Sequence, residues 1–431
     1  MASDKPNQLR RVAIVGSSRT AFCRAYTGYI EETNLSLLSS AIGGLAEKYA
    51  LKGEKIDEVM AGAVIKHSRD FNLAREALLN AGLSANTPGT TMQIACGTSL
   101  QAALVLGAKI ASGEIESGIA GGADSISDSP LVFGDKLAHR LIKLSRARSL
   151  GQKLGVFKGF SFGEIAPVAP SVNEPRTGLS MGQHCELMAR EWEIGRTEQD
   201  EFALKSHQNA ARAIDEGFHD DLIAPCAGIY RDNNVRADSS LEKMAATKLA
   251  FDRKSGFGTL TAANSTPLTD GAAAVLLASE EWARERGLPV LAYLRMGVVS
   301  ANNFAAGEGL LMAPTIAVSD LLRRANIGFG DIDLFELHEA FAAQVLCTLK
   351  AFSNRKYNRE VLGRDKVMGK MAAAKINING SSLAYGHPFA ATGARILGHS
   401  AKLLNENKKN RALISICTAG GMGVAALVER T

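Results

Sequence analysis

Tryptophan and proline are scarce in this chain, at 2 and 11 of 431 residues. No proline-rich, serine-rich or repetitive stretch interrupts it, which excludes a low-complexity linker. The six cysteines (Cys23, Cys96, Cys185, Cys226, Cys347, Cys417) include no pair at CxxC spacing. Paired-thiol zinc and redox motifs are thereby excluded. The polar opening, with Asp4 and Lys5, has no apolar run of export-signal length. Free thiols in a reducing, cytoplasmic setting are therefore the expectation. No membrane-length apolar run occurs either: residues 412–428 fall short of the ~20 that span a bilayer and are broken by Gly420 and Gly421. Nor does one sign of charge dominate, because the formal net charge is only +5. That excess lies in residues 136–163, where Lys136, Arg140, Lys143, Arg146, Arg148, Lys153 and Lys158 meet no acid until Glu164. A chain built for nucleic acid would spread its basic residues more widely, so nucleic acid is not an expected partner.

What remains is an ordinary globular composition, 46% hydrophobic and 22% charged. The length suggests two or three domains. Apolar runs at 11–16, 59–65, 119–123 and 413–417 read as strands, and Ala/Leu-rich segments at 98–112 and 391–404 read as helices. The alternation predicts α/β layers around a buried sheet. A faint echo links two parts of the chain. Cys96 precedes a small-residue helix, a strand and Gly121-Gly122; His387 precedes another such helix, a strand and Gly420-Gly421. Residues 130–250 break the alternation, with charged helical patterns at 181–193 and 198–217, and read as an insertion.

Four side chains stand at strand-to-turn positions. Cys96 ends an apolar strand where a helix begins, and free N–H groups there favour a thiolate. A buried structural cysteine is the alternative reading. His387, between Gly386 and Pro388, suits a general base, or equally a histidine bonded to loop carbonyls. Cys417 enters a glycine turn whose N–H groups suit an anion. His338 follows an apolar strand. The segment 264–271 forms a polar turn between two apolar strands.

Taken together, these motifs resemble the thiolase family. They are Cys96 with its helix, His338-Glu339-Ala340-Phe341, Gly386-His387-Pro388 with residues 391–395, Cys417 with Gly420-Gly421-Met422-Gly423, and Asn264 followed by Asp270-Gly271. They occur in the family's order over essentially the whole chain. His338, where most thiolases have asparagine, and the basic insertion look most like thiolases of fatty-acid oxidation complexes.

The resemblance implies a thiolase fold: two duplicated α/β halves in five layers, each half with its own sheet, and an inserted loop domain. The implied boundaries are 1–128 plus 251–283, 129–250, and 284–431. It implies cleavage of a 3-oxoacyl-CoA by CoA through a Cys96 acyl-enzyme. His387 would be the base, Cys417 the second acid/base, and the N–H groups of Cys96 and Ala419 one oxyanion site. His387 and a water held by His338 would form the other. Thr266 would lie near pantetheine and Lys248 near the nucleotide. Coenzyme A is then a substrate, and no permanent cofactor or metal is expected. Competing readings are a biosynthetic acetoacetyl-CoA thiolase, a decarboxylating condensing enzyme and a catalytically silent lipid carrier. Departures from the family pattern are Ala419 in place of glycine, Gln93 and Thr98 beside the first cysteine, and Ser180 where the family often has histidine. A homodimer or homotetramer is expected, with a hydratase/dehydrogenase subunit as a further partner. Leucines 137, 141, 144, 150 and 154 recur at near-helical spacing among the basic residues. They predict one amphipathic helix that packs on its own domain, steers CoA, or docks on a partner or a membrane surface.

Overall fold

The computed structural model describes residues 9–171 and 173–431; the polar opening before residue 9 lies outside it. Nine strands carry the fold. The first half contributes β1 (Val12–Arg19), β2 (Glu58–Gly62), β3 (Gly89–Thr91), β4 (Ser117–Asp124) and β5 (Thr269–Ser279). The second contributes β6 (Ala292–Ala301), β7 (Leu334–Leu337), β8 (Arg411–Thr418) and β9 (Met422–Glu429). Spatial order is β7-β8-β9-β6-β1-β5-β4-β2-β3.

Each half repeats one plan. In the first, β2 and β4 are parallel while β4, β5 and β1 are antiparallel neighbours. In the second, β7 and β8 are parallel while β8, β9 and β6 are antiparallel neighbours. The sequence echo is thus a repeat of topology. The equivalent edge strands β1 and β6 meet at Ala13 opposite Tyr293 and Ile14 opposite Ala292. This corrects the expectation of a separate sheet in each half: hydrogen bonding runs through all nine strands in one path. The bridge is short because twisted sheets diverge away from a shared edge.

Helices sort into layers by where their apolar residues fall. The helices α1 (Asn34–Lys48) and α2 (Leu73–Asn80) cover the outer face of the first sheet. Next, α3 (Thr98–Ser112) lies between the sheets. In the 130–250 region come α4 (Asp135–Arg146), α5 (Leu150–Val156), α6 (Met181–Glu191) and α7 (Arg196–Asp215). The second half adds α8 (Ala313–Ala325) and α9 (Ala342–Ser353) on its outer side and α10 (Thr392–Glu406) in the middle. Both α3 and α10 pack on strands of both halves, and one core cluster joins Leu100, Leu106, Leu397 and Leu404 to strands of each half. That arrangement makes five layers. The leucines that these two central helices turn into the core are fully buried or nearly so; truncating such a leucine to alanine typically costs about 2–5 kcal/mol.

The halves differ most between their antiparallel strands. The second joins β8 to β9 by the turn at 419–421, where Gly420 (φ 81°) and Gly421 (φ 70°) take the left-handed conformation. The first joins β4 to β5 through residues 125–268. There α6 and α7 pack on α9 of the other half. The segment 137–154 is two helices, not the single one its leucines predict. Ser149 accepts from the N–H of Gln152 and starts a new capped helix. Leu150 and Leu154 are 74% and 68% exposed, so they do not pack on the chain's own core. Arg140 is not a free cation: its Nε donates to Glu164 at 2.8 Å and its Nη atoms to the carbonyls of Lys158 and Gly159.

Candidate active site

The chemistry-bearing side chains lie at the carboxyl ends of parallel strands, where loops of an α/β sheet bind ligands. Cys96 sits between β3 and α3. His338 follows β7 and its N–H donates to Ser415 O at 2.8 Å. Cys417 is near the end of β8, opposite Gly423. His387 lies in the turn before α10.

Local chemistry sets each position. Ala95, just before Cys96, is left-handed (φ 44°), a conformation that costs an alanine roughly 1 kcal/mol. Thr98 holds this turn, accepting from the Ile94 N–H at 2.9 Å and donating to the Ala95 carbonyl at 2.7 Å. Its hydroxyl therefore braces the nucleophile turn and is not free to shape a substrate pocket. The two central helices are clipped together at their first turns. Ser99 Oγ accepts from the Ala394 N–H at 2.8 Å, and a Cβ on Gly393 would lie 2.3 Å from the Leu100 nitrogen. Asp124 accepts from Ala390 N at 2.8 Å, tying β4 to the turn that carries His387.

These constraints bring His387 Nε2 to 3.1 Å from Cys96 Sγ. On its other side, His387 Nδ1 meets Thr392 Oγ1 at 2.5 Å. The His338 and His387 rings are 4.1 Å apart. Ligand atoms of Cys96, His338 and His387 lie within 4.8 Å of one another, a trio with the spacing of a soft-metal site. No such cluster is visible in the linear sequence. Cys96 is half-buried and Cys417 buried.

Desolvation governs the charges. Burial pushes the Cys96 thiol up to about 12, against the pull of the Ala419 and Cys96 N–H groups. Burial also holds Cys417 well above its ordinary value, with Cys96 adding to the rise. His387 is pushed down to about 3, first by burial and then by Arg395. His338 is likewise held well down by burial, then by His387 and Arg395. Burial thus works against the thiolate that the helix N-terminus favours, and with the imidazole held down as well it favours a neutral Cys–His pair.

Two families of domain description match almost end to end: Thiolase, N-terminal domain over residues 12–281, and Thiolase, C-terminal domain over 288–430. The chain belongs to the thiolase family. It is 42% identical over 425 residues to a 3-ketoacyl-CoA thiolase of Vibrio cholerae, covering 97% of each chain. It is 40% identical over 428 residues to one of Alteromonas mediterranea, again with 97% of each covered. A crystal structure of the Bacillus anthracis acetyl-CoA acetyltransferase superposes with a TM-score of 0.81 at 29% identity, over 99% of this chain and 100% of that one.

The other residues picked from the sequence fall outside the thiolase cluster itself. Thr266 is half-buried and its Oγ1 donates to the Ser382 carbonyl at 2.8 Å. Lys248 is exposed, beside the bridge between Leu249 and Thr261. Ser180 caps α6. Sequence reasoning missed Thr392, Ser382, Ser99 and Asp124 as parts of the site. Each is an ordinary polar residue whose contact crosses a turn or a layer, and no linear spacing marks it.

Proposed function

We propose that this thiolase is a 3-ketoacyl-CoA thiolase (acetyl-CoA C-acyltransferase) of fatty-acid β-oxidation. The carrying observation is the 3.1 Å contact of Cys96 with His387, with a second cysteine, Cys417, close enough for Cys96 to add to the rise of its thiol. A decarboxylating condensing enzyme has no use for that second thiol.

Cys96 gives its proton to His387 Nε2 as its sulfur adds to the 3-oxo carbon. The resulting oxyanion is held by the Cys96 and Ala419 N–H groups; a donor of this kind is typically worth about 3 kcal/mol. Collapse breaks the C2–C3 bond, and the acetyl-CoA carbanion takes its proton from Cys417. Its enolate oxygen is held by His387 and a water on His338. CoA then enters and gives its thiol proton to the Cys417 thiolate. The new thiolate attacks the acyl group, and Cys96 leaves, recovering its proton from His387. Protons balance over the ping-pong cycle. Thr266 and Lys248 contact pantetheine and the nucleotide of CoA.

CoA-dependent loss of 3-oxoacyl-CoA absorbance over a chain-length series tests this reading. Malonyl-thioester turnover without free CoA would replace it with condensation. Activity confined to acetoacetyl-CoA would favour the biosynthetic thiolase, a reading that the likeness to an acetyltransferase structure keeps in view. The duplicated halves are assigned to 1–128 plus 251–283 and to 284–431, with 129–250 as the inserted loop domain. The protein works in the cytoplasm as a homodimer or homotetramer, with a hydratase/dehydrogenase subunit as partner. Among the described residues no helix is long and apolar enough to cross a membrane. The exposed leucines and lysines of α4 and α5 instead favour peripheral contact with an anionic membrane surface.

A further inference from the structure

His338 Nε2 is buried and has no protein partner. As the donor side of an oxyanion site it is useful only if it carries the ring's proton. Its state is decided on the other nitrogen. Nδ1 lies 2.8 Å from Ser382 Oγ. The same oxygen receives a hydrogen bond from Arg395 Nη2 at 2.9 Å. A guanidinium only donates, and Arg395 is 4% exposed. Ser382 Oγ therefore spends one lone pair on Arg395. Its own hydrogen has one acceptor within hydrogen-bond reach among the described residues, His338 Nδ1. The neighbouring Ser381 hydroxyl is committed elsewhere, donating to the Leu337 carbonyl at 3.0 Å. If Nδ1 carried the proton, Ser382 Oγ would accept twice and its buried hydrogen would go unpaired, the costly arrangement.

We propose that Ser382, held by Arg395, is a positioning residue that fixes His338 in the tautomer with its proton on Nε2, so that His338 presents a donor to the reacting oxygen or its water. This inference rests on the thiolase reading of the site. It also relates two features of this chain. An asparagine at 338 presents an amide N–H without any tautomer to choose, whereas a histidine there needs a partner that selects one. Arg395 stays cationic at neutral pH, since burial lowers it only to about 10. Its donor role is thus constant across the working range. Burial, with His387 and Arg395 nearby, keeps His338 neutral, the state in which the choice of tautomer exists.

The test has two arms. Long-range proton–nitrogen NMR of histidine-labelled wild-type protein reports which nitrogen of His338 is protonated, with H338N assigning the signal. Nε2–H is expected, and Nδ1–H would overturn the proposal. In the kinetic arm, S382A should lower kcat about tenfold or more while KM for the 3-oxoacyl-CoA stays within twofold. S382T, which keeps a hydroxyl, should recover most of the loss. In the H338N background the effect of S382A should shrink to within twofold, because asparagine has no tautomer to lose. An equal S382A loss in both backgrounds would mean that Ser382 serves packing alone and would refute the positioning role. Should S382A not fold, the wild-type NMR still decides the matter. Absence of CoA-dependent cleavage by the wild type would sink the thiolase reading and leave the tautomer result standing.

Discussion

The neutral Cys96–His387 pair has a direct chemical signature. Burial holds the thiol up at about 12 and the imidazole down at about 3, so proton transfer from Cys96 to His387 is strongly uphill before a substrate carbonyl is engaged. At pH 7 about one Cys96 in 10⁵ is ionised, against about one in 10² for a thiol at the ordinary 9.0. The proton must then move as the C–S bond forms and charge passes to an oxyanion held by backbone N–H groups. Alkylation by neutral iodoacetamide, followed at Cys96 by peptide mass mapping from pH 5 to 9, reads the thiolate fraction. The rate is expected to climb about tenfold per pH unit, with no plateau up to pH 9. A plateau between pH 5 and 8 that disappears in His387→Gln would reveal a resting thiolate–imidazolium pair. That result would refute the claim that burial outweighs the helix terminus.

Cys417→Ser should lower turnover by about 10²–10⁴, while mass mapping still finds Cys96 acylated by a simple acyl-CoA; equal loss of both would refute separate roles for the two thiols. Acid should destabilise the fold before it titrates surface carboxylates. His387 (to about 3) and His207 (to about 4), with His338, His219 and His399 also held well below their ordinary value by burial, refuse protons that the unfolded chain binds near pH 6.5. Asp124, raised to about 7, and Glu336, raised to about 8, act in the opposite sense, as do the raised Asp270 and Glu339. Because the histidines outnumber these carboxyls, stability falls as pH drops from 6.5 to 4.5, by roughly 1–4 kcal/mol per unit; a Tm unchanged from pH 7 to 5 would contradict this. Replacing Lys143, Arg146 and Lys153 by glutamine should weaken sedimentation with anionic vesicles and leave turnover of a short soluble substrate intact. Arg140 is spared because it braces the loop through Glu164. Unchanged vesicle binding would leave the exposed leucines to a protein partner, and a KM for CoA that rises but converges with wild type at high salt would point to steering.

Much of this protein is legible from its residues in order. The helix at Thr98–Ser112 falls on the Ala/Leu-rich segment that predicts it, because alanine and leucine are strong helix formers and leucines 100 and 106 anchor it in the core. The strands around Ile119 and Leu413 extend beyond their apolar runs by a residue or two, where pairing rather than hydropathy sets the end. Cys96, His338, His387 and Cys417 stand out in the sequence as reactive residues beside apolar or glycine-rich turns, and the structure brings Cys96, His338 and His387 together. Tertiary structure alone decided the rest. It joined β1 to β6 at one edge, split the basic segment at Ser149, and bound Arg140 to Glu164. It also set the desolvation that pushes the Cys96 thiol up, since that depends on what packs around the sulfur from both halves. The tautomer of His338 lies furthest from the sequence. On our proposal it depends on Ser382 and on Arg395, which the segment before α10 and the first turn of α10 bring together so that Arg395 holds the hydroxyl that meets the His338 nitrogen.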